Sequence, residues 1–400
     1  MTRYTLLLVL LLCASCPAGE VGQLDNITCS WLGNSLPGSD GWVLQSIADI
    51  FVVPDGTVYT NVPWDEHGGN VMAFRGGKFV AEARVGNHGG GRTITANSKY
   101  IFFAGDRHRK GEEGIDRRDR AEIFDKSKNV HVDCGMVHGI AATESRVYAS
   151  VPAENRIKVF DSDLDFLTQW PVEDPGEMAL DRGGRLWVIQ ASTGRVSCYD
   201  SEGNRLPQKI ILSDEVVPTD ICIDSKSRLL LADAGVSQQV HIYSNIEQKP
   251  ALDGHFGIRR GIFSGPNPGK KRPLRFFMPT GVGVDGQGNI YVGSKSDVNN
   301  NGATLIQSYS PDGKLNWEMS ASLWIDCVDV DPQDPNILYG SGEKFVMDYS
   351  AAVGKQATLT AFTANPFAFP QDPRVGGDGH GGQRGATWMR LIDGRKFMFL

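Results

Sequence analysis

Three acidic residues and a histidine stand at matching points along the chain, each at the start of a short apolar run. They are Asp49, His138, Glu177 and Asp220. Carboxylates gathered around one opening can bind a hydroxylated ligand or a cation, and oxygen ligands suit Ca²⁺. The same side chains can instead hold water and cap the ends of strands. Both hypotheses require elements that bring these four positions together.

Histidines in glycine-rich segments form a second candidate set. His88 lies in the segment 86–92 and His380 in the segment 376–384, while His67 ends the polar run 64–67. Three neutral imidazoles in one place would suit Zn²⁺ or another transition metal. A histidine beside Arg92 could instead act as a base, with the guanidinium clamping a carboxylated sugar. The glycines can equally serve only to permit positive φ angles.

Two tryptophans, Trp64 and Trp388, align with the same end of the repeated elements and are candidate platforms for a sugar ring. Trp187, Tyr291 and Tyr339 fall inside strand-like runs and are predicted to be core. No P-loop lysine follows the glycines at 86–91, and no Gly-x-Ser-x-Gly is present. Phosphate cradling and a serine hydrolase of that type are therefore disfavoured.

A repeated phrase supplies the elements that must position these residues. A short apolar strand, a turn carrying Asp, Gly or Ser, and a second β-rich strand recur eight times, aligned at positions 49, 91, 138, 177, 220, 281, 327 and 388. Most spacings are close to the length of a four-stranded propeller blade. Third strands follow at 70–74, 156–160, 195–199, 239–243 and 304–309. The pattern predicts an all-β propeller of seven or eight blades (six possible) with few helices; a pair of β-sandwiches is the alternative.

In a propeller the innermost strands line a central channel, and the loops that lead into them share one face. The sequence therefore predicts ligand-binding residues at the channel mouth, namely Asp49, Trp64, Arg92, His138, Glu177, Asp220 and Trp388. If the last copy flanks the first, three histidines can converge there on a metal, namely His67, His88 and His380. The cofactor predicted by the metal hypotheses is a divalent cation, Ca²⁺ or Zn²⁺.

The first 18 residues have the order of a secretory signal. Arg3 precedes the apolar run 6–12, and small residues lead to a cut near Ala18. We expect a secreted or periplasmic protein, with a lipid anchor at Cys16 less favoured because Cys13 occupies an aliphatic position. Residues 19–44 are predicted to close the ring and residues 45–400 to form the propeller.

Charge, hydropathy and cysteine content limit the kinds of partner and covalent link that the chain can have. The chain has 47 acidic and 40 basic residues, so its net charge of −7 argues against nucleic acid. No other run approaches the length of a transmembrane helix. The mixed-charge segment 106–120 is predicted to be a solvated loop. Five cysteines lie beyond the leader, and we expect mostly buried free thiols with at most one bridge, among Cys29, Cys134, Cys198, Cys222 and Cys327.

Two copies carry a family resemblance. The phrases at 218–224 and 229–235, and at 279–285 and 289–293, resemble NHL repeats and blades of the senescence-marker-protein/gluconolactonase type. The resemblance implies a propeller, a fold that hosts lactonases, lyases, synthases and binding modules. The Glu, Asn and Asp set of the Ca²⁺-dependent lactonases would correspond by type to Glu177, Asn155 and Asp220. The zinc histidines of the amidating-enzyme lyase would correspond to His67, His88 and His138.

Three functions follow as hypotheses. The leading one is a secreted propeller that binds a small polar or carbohydrate-like ligand at the channel mouth. A metal-dependent hydrolase or lyase of the lactonase-like type would use the same mouth. A protein–protein scaffold would use the rim loops instead. The oligomeric state and the ligand are left open.

Overall fold

The fold is that of a computed structural model, which describes residues 23–24, 27–28, 47–63, 70–83, 90–105, 113–295, 304–321, 328–340, 342–352, 355–372 and 388–399. Almost all regular structure in these ranges is antiparallel sheet. The helical elements within them are five three-residue 3₁₀ turns, at Arg120–Glu122, Lys126–Lys128, Pro152–Glu154, Ala191–Thr193 and Gly261–Phe263. The predicted all-β class with few helices is confirmed.

The chain forms successive four-stranded sheets, and we number the first six as blades. Blade 1 contains β3 (Asp49–Val52), β4 (Thr57–Asn61), β5 (Val71–Arg75) and β6 (Lys78–Ala83). Blade 2 contains β7 (Ile94–Ala96), β8 (Tyr100–Gly105), β9 (Gly114–Asp119) and β10 (Val130–Asp133). Blade 3 contains β11 (Gly139–Ala142), β12 (Arg146–Val151), β13 (Arg156–Asp161) and β14 (Phe166–Pro171).

The second half of the chain continues the series. Blade 4 contains β15 (Met178–Leu180), β16 (Leu186–Gln190), β17 (Arg195–Tyr199) and β18 (Arg205–Ile211). Blade 5 contains β19 (Pro218–Ile223), β20 (Leu229–Asp233), β21 (Val240–Ser244) and β22 (Ala251–Phe256). Blade 6 contains β23 (Pro279–Val284), β24 (Ile290–Lys295), β25 (Thr304–Tyr309) and β26 (Leu315–Ala321).

A seventh sheet and two hairpins complete the described structure. Sheet 7 contains β27 (Asp329–Asp331), β28 (Asp334–Tyr339), β29 (Glu343–Met347) and β30 (Ala357–Phe362). The C-terminal hairpin pairs β31 (Trp388–Ile392) with β32 (Arg395–Phe399). The N-terminal hairpin pairs β1 (Gln23–Leu24) with β2 (Ile27–Thr28). The rest of the predicted ring-closing segment 19–44, like the leader 1–18, lies outside the described residues.

The first strands of the six blades close into a ring. Each of β3, β7, β11, β15, β19 and β23 contacts the next, and β23 contacts β3. Glycine allows this last contact, because a Cβ added at Gly281 would lie 2.7 Å from the backbone nitrogen of Ile50. The predicted β-propeller is confirmed, and the first strands of all six blades line the central channel.

Sheet 7 lies outside this ring. It packs through Phe345 and Leu359 against Phe277 and Leu305, on the side of blade 6. The hairpin strand β31 in turn contacts β27. The eight copies of the repeat therefore appear as seven four-stranded sheets and one hairpin, and six of the sheets surround the channel.

Buried faces of neighbouring blades hold the ring together. Trp187 packs between blades 4 and 5, and Tyr291 packs between blades 6 and 1, so both are core residues as predicted. Tyr339 is half-buried. The recurrent turn aspartates have a local role: Asp181 Oδ1 accepts the backbone N–H groups of Gly183 and Arg185, at 2.9 and 3.0 Å. An aspartate at this position fixes the turn between the first and second strands.

Two further expectations have clear outcomes. The segment 106–120 is not simply a solvated loop, because residues 114–119 form β9, in which Asp116 and Arg118 are buried. Cys134, Cys198 and Cys222 are free thiols, while Cys29 and Cys327 lie outside the described residues.

Across the described part of the chain, no helix has the length and apolar character needed to cross a membrane.

Candidate channel-mouth site

Buried polar side chains gather where the first strands of the blades begin, the end that we call the channel mouth. Asp49 begins β3, Thr93 and Glu177 directly precede β7 and β15, and Asp220 lies in β19. All four are buried, with at most 9% of each residue exposed. They come from blades 1, 2, 4 and 5, so four separate strand starts build one site.

Two of the carboxylates link neighbouring blades. Asp49 Oδ1 accepts the N–H of Ile50 at 2.7 Å, and its Oδ2 accepts the N–H of Ile94 in blade 2 at 2.9 Å. Asp220 repeats the pattern with Ile221 at 2.7 Å and Val282 of blade 6 at 2.6 Å. We call this arrangement, one carboxylate bridging its own strand and the next first strand, the carboxylate clasp.

Thr93 occupies the equivalent place in blade 2. Its Oγ1 accepts the N–H of Ile140 in blade 3 at 3.1 Å and donates to Glu177 Oε2 at 3.1 Å. The alignment of the repeats puts Gly91 at this position, two residues too early, and Gly91 instead donates its N–H to Asn61. Counting back from the apolar run that starts at Ile94 identifies Thr93.

The carboxyl groups of the site carry mutually unfavourable charge. Burial raises the pKa of Asp49 well above its ordinary range, and the charge of Asp220 raises it further. Burial raises the pKa of Glu177 in the same way, with added repulsion from Asp49 and Asp220. Burial raises the pKa of Asp220 to about 7, against the lowering effect of its two backbone hydrogen bonds. At neutral pH the three groups therefore retain protons or attract a hydrogen-bond donor or a cation.

The channel beside these groups is narrow. Its volume is about 190 Å³, and apart from the acids its lining residues all belong to the first strands and are mostly aliphatic, with Phe51, Thr95 and Cys222 among them. That volume holds roughly six water molecules at about 30 Å³ each. The space suits a small ligand whose donors meet oxygen acceptors at one end.

His138 and Arg92 lie near each other at the starts of their strands but are not among the residues that line the channel. His138 directly precedes β11 and is half-buried, while Arg92 is exposed. Burial lowers the pKa of His138, the charge of Arg92 lowers it further, and Asp174 opposes both. His138 is therefore a neutral imidazole near pH 7. Asn155 is not among the residues that line the channel with the carboxylates, and its Oδ1 accepts the N–H of Asp174 at 2.8 Å.

Trp388 is not at the channel. It is 55% exposed and lies in β31, whose neighbours are β32 and β27. The repeat alignment misplaces it because the last copy follows sheet 7, whereas blade 1 lies between blades 2 and 6.

The other predicted members of the mouth, namely Trp64, His67, His88 and His380, lie outside the described residues, so the histidine metal site stays a prediction. Since β31 adjoins β27, the last copy does not flank the first, on which the predicted convergence of His380 depended. Within the described ranges, no three His, Cys, Asp or Glu side chains lie close enough to hold one metal ion.

A Ser–His–Asp cluster in blade 5 is not recognisable in the sequence. Asp233 Oδ2 accepts the hydroxyl of Ser237 and lies 3.0 Å from His241 Nε2, which lies 3.4 Å from Ser237 Oγ. Burial acts to raise the pKa of Asp233, but hydrogen bonds from His241, Ser237 and two backbone N–H groups outweigh it and lower that pKa. A catalytic triad needs the two imidazole nitrogens to serve Ser and Asp separately. Here one nitrogen faces both, so the cluster is structural.

Comparison with known proteins adds the following. No protein-family model matches the chain, and no curated protein matches it. Among solved structures, a streptogramin B lyase is 12% identical, with 83% of this chain and 96% of that one covered and a TM-score of 0.48. Virginiamycin B lyase from Staphylococcus aureus is 12% identical over 80% and 96%, with a TM-score of 0.45. A protein of unknown function from Bacteroides caccae is 12% identical over 66% and 93%, with a TM-score of 0.49. At this level of similarity no activity is transferred, and the propeller rests on the chain's own sheets.

Proposed function

We propose that this protein is a binding propeller whose channel mouth takes a small polar, carbohydrate-like ligand. The observation that carries the proposal is the convergence of Asp49, Glu177 and Asp220 on one narrow channel. Hydroxyl groups of a sugar or polyol are donors that match these acceptors. A neutral ligand of this kind would relieve the mutual repulsion of the carboxylates without adding charge.

The carboxylates have unequal freedom to contact the ligand. Asp49 and Asp220 each use both oxygens in the carboxylate clasp. Glu177 accepts the Thr93 hydroxyl on Oε2 and a hydrogen bond from the backbone N–H of Met178. It therefore accepts one backbone N–H, where each clasp aspartate accepts two, and replacing it leaves fewer buried N–H groups without an acceptor. Glu177 is therefore the residue through which binding is best tested.

The test compares Glu177→Gln with Glu247→Gln, which changes an exposed glutamate in a turn of blade 5. Thermal shift and calorimetric titration would use a panel of monosaccharides, polyols and sugar lactones. We expect at least one compound to raise the melting temperature of the wild type and of Glu247→Gln, and to bind Glu177→Gln at least fivefold more weakly. Equal binding to all three proteins would refute the channel mouth as the site.

A metal-dependent lactonase-like enzyme predicts a different result for the same panel. Product would form from a lactone, chelation would stop its formation, and Glu177→Gln would lower kcat more than it changes KM. Binding without turnover, indifferent to chelator, supports the binding propeller.

We further propose that the protein is exported, on the basis of Arg3 and the apolar run 6–12. N-terminal sequencing of the protein secreted by its host should then begin near Gly19. Recovery of the intact leader would contradict export.

A further inference from the structure

A second cavity opens between blades 1 and 2, at the end opposite the channel mouth. It lies among the start of β4, the end of β5, the turn Ser98–Lys99 and the residues Asp119–Arg120 at the end of β9 and just beyond it. Its volume is about 500 Å³, within the range of small-molecule sites, roughly 300–1,000 Å³. We call it the blade 1–2 groove.

One wall of the groove is apolar. Tyr59, Ala81 and Ile123 line it and are buried, and Val80 is 50% exposed there. An aromatic or aliphatic body placed on this wall would cover Val80 and gain apolar burial.

Arg120 presents an oriented positive charge to the groove. Its Nε donates to Tyr59 Oη at 3.1 Å, and its Nη1 donates to the carbonyl groups of Asn97 and Ser98 at 2.9 and 3.2 Å. Within the described ranges, Arg120 forms no ion pair and its Nη2 makes no hydrogen bond. A guanidinium fixed on one side, with donors left on the other, is arranged to bind an anion.

Lys99 adds a second cation next to Arg120, whose backbone N–H donates to the Lys99 carbonyl at 2.9 Å. Its Nζ lies 4.6 Å from the centroid of the Tyr100 ring. The hydrogen bond with Tyr100 raises the pKa of Lys99, and the charges of Asp119 and Asp163 raise it further, but within the described ranges no carboxylate oxygen lies within 4 Å of Nζ. Arg75 differs, because Asp55 neutralises it. Asp119 is the carboxylate that lines the groove, and its Oδ1 already accepts the N–H of Ala121 at 2.8 Å. Lys99 and Arg120 thus form no ion pair within the described ranges. The carboxylates whose charges reach them are Asp119 and Asp163 at Lys99 and Asp55 at Arg120, and each of these already accepts from another donor, namely Ala121, Arg117 and Arg75.

We propose that the blade 1–2 groove binds a small amphiphilic anion. Its carboxylate, sulfonate or phosphate group lies between Lys99 and Arg120, and its apolar body lies on Tyr59 and Val80. This site is separate from the channel mouth and does not depend on the function proposed there.

The test is a fluorescence titration of the full chain with 8-anilinonaphthalene-1-sulfonate, followed by displacement with naphthalene-2-carboxylate or its neutral carboxamide. Lys99→Glu reverses one charge of the groove, and Lys209→Glu makes the same change on the exposed face of β18. We expect Lys99→Glu to raise the Kd of the sulfonate at least tenfold and Lys209→Glu to leave it unchanged. The carboxylate should displace the probe at least tenfold better than the carboxamide.

Arg120→Gln should have a similar effect, with melting temperature as the check on folding. If that variant does not fold, Lys99→Glu and the two competitors still decide. Equal probe affinity in Lys99→Glu and Lys209→Glu would overturn the proposal, and so would equal displacement by the charged and neutral naphthalenes.

Discussion

The clasp aspartates combine two roles that oppose each other. Asp49 and Asp220 each accept two backbone N–H groups, which favours the ionised carboxylate, while burial and neighbouring charge favour the protonated one. Burial prevails at Asp220, whose pKa rises to about 7. Replacing Asp220 by Ala would leave the N–H groups of Ile221 and Val282 buried without acceptors, at about 1–3 kcal/mol each. Lost activity in that variant would therefore report damaged structure as readily as a damaged site.

Glu177→Gln should make stability less sensitive to alkali. Because burial raises the pKa of Glu177, the folded protein binds more protons than the unfolded chain, and this contribution falls as pH rises through the folded pKa. Glutamine cannot ionise, so the variant does not lose the stability that the wild type loses when Glu177 ionises. We expect its melting temperature relative to wild type to rise progressively as the pH increases above about 4.3, the ordinary pKa of a glutamate.

Glu247→Gln is the control for that measurement, and its difference from wild type should stay constant over the same range. The difference also cancels His138, whose lowered pKa changes stability in the opposite direction. A pH-independent difference for Glu177→Gln would show that Glu177 titrates normally.

The residues of the site were predictable where they directly precede an apolar run. Asp49, Glu177 and Asp220 follow that rule, and the repeat places them at one end. Thr93 was missed because the glycines at positions 89–91 made the first residue of its strand hard to identify in the sequence. Outside the site, the burial of Asp116 was not predicted, because a mixed-charge segment is usually solvated, whereas here the third strand of blade 2 buries its side chain.

At the scale of elements, the clasp recurs outside the ring. Asp329 Oδ1 accepts the N–H of Val330, and its Oδ2 accepts the N–H of Met389 in the C-terminal hairpin, both at 2.8 Å. Lys396 of the same hairpin contacts Asp331 at 2.7 Å. Sheet 7 and the hairpin are therefore joined in the way that successive blades are joined.

Asp329→Ala should loosen the hairpin selectively. Loss of one acceptor at a partly buried N–H costs about 1 kcal/mol, which corresponds to roughly fivefold faster amide exchange along β31 if the hairpin opens locally. Hydrogen exchange followed by mass spectrometry would measure it. Asp334→Ala is the matched control, because Asp334 accepts only the nearby N–H of Asn336, and equal exchange in both variants would contradict the clasp.

The strands were predictable from alternation, but the place of sheet 7 was not. The long spacing between the copies at 220 and 281 contains an insertion that includes Ile262, Phe263 and Phe277. These side chains pack against sheet 7 rather than forming another blade. The spacing between two copies of the repeat does not by itself distinguish an unrecognised blade from an inserted segment that packs against a neighbouring sheet.

At the scale of the whole molecule, ring size depends on which two first strands can meet. Repeat counting predicted the sheets, yet it could not predict that blade 6 closes on blade 1. That contact requires β23 to approach β3 with no side chain between them, and Gly281 and Gly283 supply the space. In the sequence this requirement is visible only as glycines inside a strand, and such glycines also occur at bulges and tight bends.

Gly281→Ala should therefore damage ring closure. The added Cβ would lie 2.7 Å from the backbone nitrogen of Ile50, and a backbone atom of a central strand cannot move aside without shifting blade 1. Overpacking of this kind lowers the free energy of unfolding by about 1–3 kcal/mol. Gly254→Ala in the outer strand β22 is the control, because its Cβ would meet nothing within 4 Å, and it should be neutral or slightly stabilising. Urea denaturation of the two variants would measure both effects. Equal stability of Gly281→Ala and Gly254→Ala would mean that blades 1 and 6 do not meet, and the channel mouth built from Asp49 and Asp220 would lose its closed frame.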